Sequence, residues 1–239
     1  MGEDPAEAAR PKADPRLVRC YLAREALGLV MMGAALFWSA GRLDWWPGWA
    51  VLLVMAAWIA ATFLVMLRAN PALIAERLGP RRGSKGWDTA ILSLLGLVQL
   101  ARYVVAGLDA RNGWSGSFPL AAQVLALAFC LAGYGLVTWS TAANAFFSQI
   151  VRIQTERGHR VVSGGPYRYV RHPGYAGAIL YEFAAGVLLS SWPALLAGVA
   201  AALLLVLRTA LEDRLLQNEL PGYAEYARRT RFRLLPGIW

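Results

Sequence analysis

The stretch Trp45–Leu67, WWPGWAVLLVMAAWIAATFLVML, contains no charged side chain. At ~1.5 Å per residue, a helix of that length crosses the roughly 30 Å hydrocarbon core of a bilayer. Lipid offers no partner to backbone amides, so a helix, which satisfies them internally, is the expected form. Working outward, similar apolar runs occupy Tyr21–Ala40, Thr89–Leu108, Phe118–Phe147 and Tyr175–Ser190. A sixth, Ala194–Leu207, is short by itself and must borrow length from the polar helix that follows. Only Ser191, Trp192 and Pro193 separate the fifth and sixth runs, which predicts a tight helical hairpin. The 239 residues are 57% hydrophobic and 16% charged, with a mean hydropathy of +0.41, outside the range of an ordinary soluble domain. The expected fold class is all-α: a polytopic membrane helical bundle of about six membrane helices. Residues 1–16 read as a disordered tail rich in Ala, Pro and charge. Residues 17–143 read as N-terminal membrane helices, and 144–239 as a C-terminal region holding most of the polar chemistry.

The net charge of +9 would suit nucleic acid, but its distribution follows the membrane instead. Twenty-one of the 24 Lys and Arg residues precede the first run or fall in its first turn, lie between the second and third, lie between the fourth and fifth, or follow the sixth. The alternate loops hold only Arg42 and Arg111, and Arg102 falls inside the third run. The positive-inside rule then places both termini and the 144–177 connection in the cytoplasm. No nucleic-acid partner is expected. Cys20 and Cys130 sit in or beside separate runs, and His159 and His172 have no cysteine near them, so neither a disulfide framework nor a metal site is expected. Acidic residues near the start, and a second span directly after the first, argue against a cleaved signal peptide. Arginine far outnumbers lysine, a bias of GC-rich bacterial genomes, so a bacterial inner membrane is the expected location.

Polar chemistry concentrates in NAFFSQIVRIQTERGHRVVSGGPYRYVRHPGYAG, Asn144–Gly177. Ser163-Gly164-Gly165-Pro166 demands a turn, and Pro173-Gly174 marks the start of the fifth helix. The two prolines stiffen the Tyr-Arg-Tyr-Val-Arg segment between them. One reading is a basic loop on anionic headgroups; the other is a ligand site, because arginine density does not explain fixed prolines and two histidines. A second concentration is RTALEDRLL, Arg208–Leu216, where Arg208 and Glu212 share a helix face while Asp213 points elsewhere. These two are either an exposed ion pair or, since the hairpin returns to the same membrane side, part of a site for a zwitterionic ligand. The tail Gly222–Trp239 reads as an interfacial helix with aromatic and basic anchors. Arg102, Asn144 and Glu182 sit inside runs and must face protein or water. Glu182 stands open between lining a cavity and pairing with another span.

These residues resemble the signature of the isoprenylcysteine carboxyl methyltransferase family. The correspondence runs through His159-Arg160-Val161-Val162, Gly165-Pro166-Tyr167 and Arg171-His172-Pro173-Gly174-Tyr175-Ala176-Gly177, then Arg208…Glu212-Asp213, Gly222-Tyr223…Tyr226 and Arg233…Pro236. It spans the C-terminal ~100 residues. Asp213 replaces the family's usual second glutamate, and the loop before His159 is shorter by two residues. The resemblance implies an integral membrane enzyme that uses S-adenosylmethionine. It implies cofactor contacts from Gln154, His159, Arg160, Val161, Val162, Tyr167, His172, Pro173, Gly174, Tyr175 and Glu212, and a catalytic Arg208 facing a lipidic methyl acceptor drawn from the bilayer. An arginine suits a carboxylate acceptor, because its planar fork pairs in bidentate fashion and such an acceptor needs no general base. Three rivals are N-methylation of a lipid amine, an NADPH-dependent sterol or isoprenoid reductase, and a basic membrane scaffold without cofactor. They part on which cofactor the purified protein binds.

Overall fold

The computed structural model describes residues 14–78 and 83–239. Residues 1–13 of the expected tail, with Arg10 and Lys12, lie outside the described residues, as do Arg81 and Arg82. The last two residues of that tail, Pro15 and Arg16, open a helix.

Among the described residues there are eight α-helices and no strand: α1 (Pro15–Ala40), α2 (Trp46–Ala69), α3 (Ala72–Leu78), α4 (Gly86–Asn112), α5 (Leu120–Ala143), α6 (Pro173–Leu188), α7 (Trp192–Glu219) and α8 (Tyr223–Arg229). Their limits follow local chemistry. Asp14 accepts from the Arg16 amide at 2.8 Å and Ser191 from the Ala194 amide at 3.2 Å, each capping a helix with a proline in its first turn. Gly41 and Gly113 end α1 and α4 in the left-handed conformation (φ 65° and 69°) that suits a residue without Cβ.

By length and composition α1, α2, α4, α5 and α7 can each cross a membrane, so the chain is a polytopic membrane helical bundle. The remaining expected membrane helix, from the fifth run, is α6, whose 16 residues rise only ~24 Å. It packs between α5 and α7 rather than spanning on its own. As expected, the short sixth run extends into polar sequence, and α7 reaches 28 residues. The fourth run does not reach Phe147. Helix α5 stops at Ala143 because Asn144 turns out of helical geometry and its Oδ1 accepts from the Phe146 amide at 2.8 Å.

Small residues set the closest approach. A Cβ placed on Gly133 (α5) would stand 2.5 Å from the Gly177 carbonyl oxygen, and one on Gly177 (α6) would stand 2.3 Å from the Gly133 oxygen. Helices in lipid gain their contact from such backbone proximity. This contact holds the first turn of α6 against the last turns of α5, from which the 144–172 connection departs. In the apolar interior, Arg102 of α4 is fully buried and pairs with Glu182 of α6, which also accepts from Gln99. Glu182 is therefore an inter-helix tie, outside the cavity described below.

Candidate functional site

A cavity of 650 Å³ opens at the end of the bundle where the 144–172 connection returns. That volume falls within the ~300–1,000 Å³ usual for small-molecule and cofactor sites. Gln154, His159, Arg160, Val161, Val162, Tyr167, His172, Gly174, Tyr175, Arg208 and Glu212 all line it. Of the expected site residues only Pro173 is absent from the wall. It is buried in the first turn of α6, where its ring fixes the backbone angle of the helix start. Gly174 beside it packs without a side chain because the Phe147 ring occupies the space, 2.6 Å from a would-be Cβ.

The loop is a braced structure. The Gln154 side chain donates to the Phe146 carbonyl at 2.8 Å and accepts from Arg157, so its amide is engaged within the loop. His159 lies against the Phe146 ring, 4.7 Å between centroids, and its Nδ1 accepts from the Gln154 amide at 3.3 Å. Burial, then the charges of Arg157 and Arg152, hold the His159 imidazole below its usual value of 6.5. Above that value the ring is neutral in both folded and unfolded chains. As pH falls below it the unfolded chain takes the proton first, and stability declines. Hydrogen bonds from Arg152 lead the effects that hold Glu76, in the same wall, below the usual 4.5, so it stays charged in that window. Between pH 7.5 and 5.5 the melting temperature should fall, and His159→Asn, which keeps an acceptor without a titrating ring, should show a shallower fall in the same scans.

Arg208 and Glu212 do not pair with each other. The Arg208 Nε donates to Asp88 of α4 at 2.7 Å, its Nη2 donates to the Gln149 carbonyl at 2.8 Å, and its guanidinium lies 5.4 Å from the Tyr175 ring centroid. The other Asp88 oxygen accepts from the Val151 amide at 2.8 Å. Glu212 accepts from the Tyr175 hydroxyl at 2.5 Å and makes no ion pair among the described residues. The exposed-pair reading of RTALEDRLL therefore fails, since the partner of Arg208 comes 120 residues earlier in the chain.

Asp213, expected to point away, is a centre of the site's scaffold. It is fully buried. Its Oδ1 accepts from Arg171 Nε at 2.7 Å, Tyr223 OH at 3.0 Å and His172 Nε2 at 3.1 Å. Its Oδ2 accepts from Gln217 at 2.8 Å and from Arg171 Nη2 and Arg233 Nε, each at 2.9 Å. A carboxylate only accepts, so His172 carries a proton on Nε2, which leaves Nδ1 without a partner among the described residues. The Arg171 and His172 amides donate to the Phe232 and Arg233 carbonyls, each at 2.9 Å, while Arg171 Nη1 donates to those of Thr230 and Arg231.

The tail is built into the site: Tyr223 and Tyr226, expected as interfacial anchors, are buried, line the cavity and pack with Tyr167. The Tyr226 hydroxyl donates to the Tyr167 carbonyl at 2.6 Å. Asp88, Glu76, Arg77, Arg24 and Trp58 complete the wall from the N-terminal helices or brace it. Sequence reasoning missed all five. For Asp88 the one available signal was an unpartnered acid near the start of an apolar helix.

Residues 124–218 match the family model described as the isoprenylcysteine carboxyl methyltransferase (ICMT) family. Two curated rice proteins, from Oryza sativa subsp. indica and subsp. japonica, each bear the name probable protein-S-isoprenylcysteine O-methyltransferase and are 36% identical to this chain over 47 residues. That stretch is 20% of this chain and covers a quarter of the length of each relative. The matched segment runs from α5 to the end of α7 and includes the braced loop, the first turn of α6, Arg208, Glu212 and Asp213. Over residues 124–218 this membrane protein is thus similar to the isoprenylcysteine carboxyl methyltransferase family.

Proposed function

We propose that the chain is an S-adenosylmethionine-dependent methyltransferase that O-methylates a carboxylate on a lipidic acceptor. The observation that carries this reading is the unpaired Glu212 carboxylate in a cavity walled by Tyr167, Tyr175, Tyr223 and Tyr226. An anion among aromatic faces fits a ligand with a sulfonium cation, an ammonium group and an adenine ring. When bound, the cofactor would supply an electrophilic methyl group and leave as a neutral thioether. The chain's part is then positioning. Glu212 and the free ring nitrogen of His172 bind polar edges, while the tyrosines cover the flat ones and exclude water. Arg208, held by Asp88 and the Gln149 carbonyl, presents its remaining Nη1 edge to an acceptor carboxylate and aligns it for in-line attack.

Calorimetry on purified protein tests this. The wild type should bind S-adenosylmethionine, and Glu212→Gln should weaken binding by roughly 10- to 150-fold, the equivalent of ~1.5–3 kcal/mol for a hydrogen bond to a charged group. Arg208→Lys keeps the charge but loses the planar fork, so turnover on a carboxylate acceptor should drop while cofactor affinity holds. Undiminished turnover in that variant points to an amine acceptor. Binding of NADPH in place of S-adenosylmethionine points to a reductase, and binding of neither to a scaffold.

The cavity opens on the side where the loop cations cluster, so we place it in the cytoplasm with both termini. Reporter fusions after Arg111 and after Trp239 should report opposite sides, and same-side signals would overturn the orientation.

A further inference from the structure

The cavity wall contains a buried cation with no ion-pair partner among the described residues. Arg77, on α3, is only 8% exposed. Its Nε is buried without a hydrogen-bond partner, and among the described residues no carboxylate lies within ion-pair distance of it. Its polar neighbour is the neutral Tyr21 hydroxyl, and Glu25 acts on it only from beyond ion-pair distance while paired with Arg24. The other buried or half-buried cations of the wall are matched: Arg208 by Asp88, Arg171 by Asp213, Arg152 by Glu76 and Arg24 by Glu25. A buried guanidinium without a counter-charge is strongly unfavourable, so the fold keeps here a charge that a ligand can neutralise.

Position ties this charge to the chemistry. The guanidinium lies 5.9 Å from the Phe147 ring centroid, and the edge of that ring fills the space over Gly174. Arg77 is therefore one ring away from the turn that opens α6. The same cavity is lined by Trp58 from α2 and Leu92 from α4. Apart from the exposed Arg160, the cavity thus has two charges without an ion pair among the described residues, the Glu212 anion and the buried Arg77 cation. Arg208 contributes a directed fork but no net charge, because Asp88 cancels it.

We propose that Arg77 is a specificity-determining residue that binds the anionic group of a membrane amphiphile, with Trp58 and Leu92 flanking its hydrocarbon chain. As the acceptor subsite of a methyltransferase this rests on the reading above; as an anion site it does not. The residue lies outside the matched segment 124–218.

Binding of dodecanoate, dodecyl phosphate and dodecylamine is measured to the full chain in phosphatidylcholine nanodiscs, for wild type, Arg77→Gln and Arg77→Lys. At least one anion should bind the wild type, Arg77→Gln should weaken it by about tenfold or more, and Arg77→Lys should recover part of the loss. Which anion binds tighter identifies the headgroup as carboxylate or phosphate. Dodecylamine should not distinguish the three proteins, and S-adenosylmethionine affinity should stay unchanged. Because Arg77→Gln removes an uncompensated buried charge, its ligand-free melting temperature should equal or exceed that of the wild type. A lower melting temperature makes Arg77 a structural strut and overturns the proposal. Equal anion affinity in wild type and Arg77→Gln overturns it as well. So does a loss confined to S-adenosylmethionine, which would assign Arg77 to the cofactor carboxylate. If the wild type binds no S-adenosylmethionine yet anion binding still depends on Arg77, the methyltransferase reading falls and the anion site stands.

Discussion

Asp213→Ala is expected to cost about 3–5 kcal/mol and to release the C-terminal tail, because it leaves the arginines gathered on one buried carboxylate without their counter-charge. Arg171, Arg233, His172, Tyr223 and Gln217 all donate to Asp213. Through them it joins the loop before α6, the end of α7, α8 and the tail. Limited proteolysis of the purified variant should cut between residues 219 and 239, where the wild type resists, and the melting temperature should drop. Asp213→Glu, which restores the residue usual in the resembled family, keeps the charge at the cost of one methylene in a tightly packed site and should lose less. A wild-type protease pattern in Asp213→Ala would show that the backbone bonds from Arg171 and His172 to Phe232 and Arg233 hold the tail unaided.

Glu182→Ala is expected to be comparably damaging, for a different reason. Arg102 is fully buried between α4 and α6, with its guanidinium 5.2 Å from the Tyr103 ring centroid and 5.4 Å from that of Tyr181. Its Nε already lacks a partner. Removing the carboxylate strands a charge in the apolar interior, at a cost on the order of 3–5 kcal/mol. Arg102→Leu combined with Glu182→Leu removes both charges together and should recover most of that stability, because apolar replacement of a buried pair is often neutral. In the folded double variant S-adenosylmethionine affinity should match wild type, since neither residue lines the cavity. Weakened binding there would favour the cavity-lining alternative left open for Glu182.

The membrane bundle was legible from the chain alone. Apolar runs near 20 residues long leave the backbone one way to satisfy its hydrogen bonds in lipid, so Trp45–Leu67 and its counterparts declared their helices without help from tertiary contacts. The C-terminal wall of the cavity was legible as well, because its residues lie close together in sequence, between 154 and 212, and carry a recognisable spacing. Asp213, Asp88 and Arg77 were not. Helical spacing gives the face a side chain occupies, not what stands opposite that face. Asp213 shares a helix with Glu212 but faces Arg171 and the tail. Asp88 meets Arg208 across 120 residues of chain. Arg77 read as one cation among many in a basic loop until its burial showed that it alone of the wall's buried arginines lacks an acid among the described residues. Charge pairing depends on which helices pack together, and in this protein that was set by close contacts such as Gly133 on Gly177, a feature of the fold and not of any segment. The sequence by itself determined the helices, their number within one, and the residues of the loop. The tertiary structure decided which charges are paired, as Arg208 is with Asp88 and Arg171 with Asp213, and which, Glu212 and Arg77 among them, have no ion pair among the described residues.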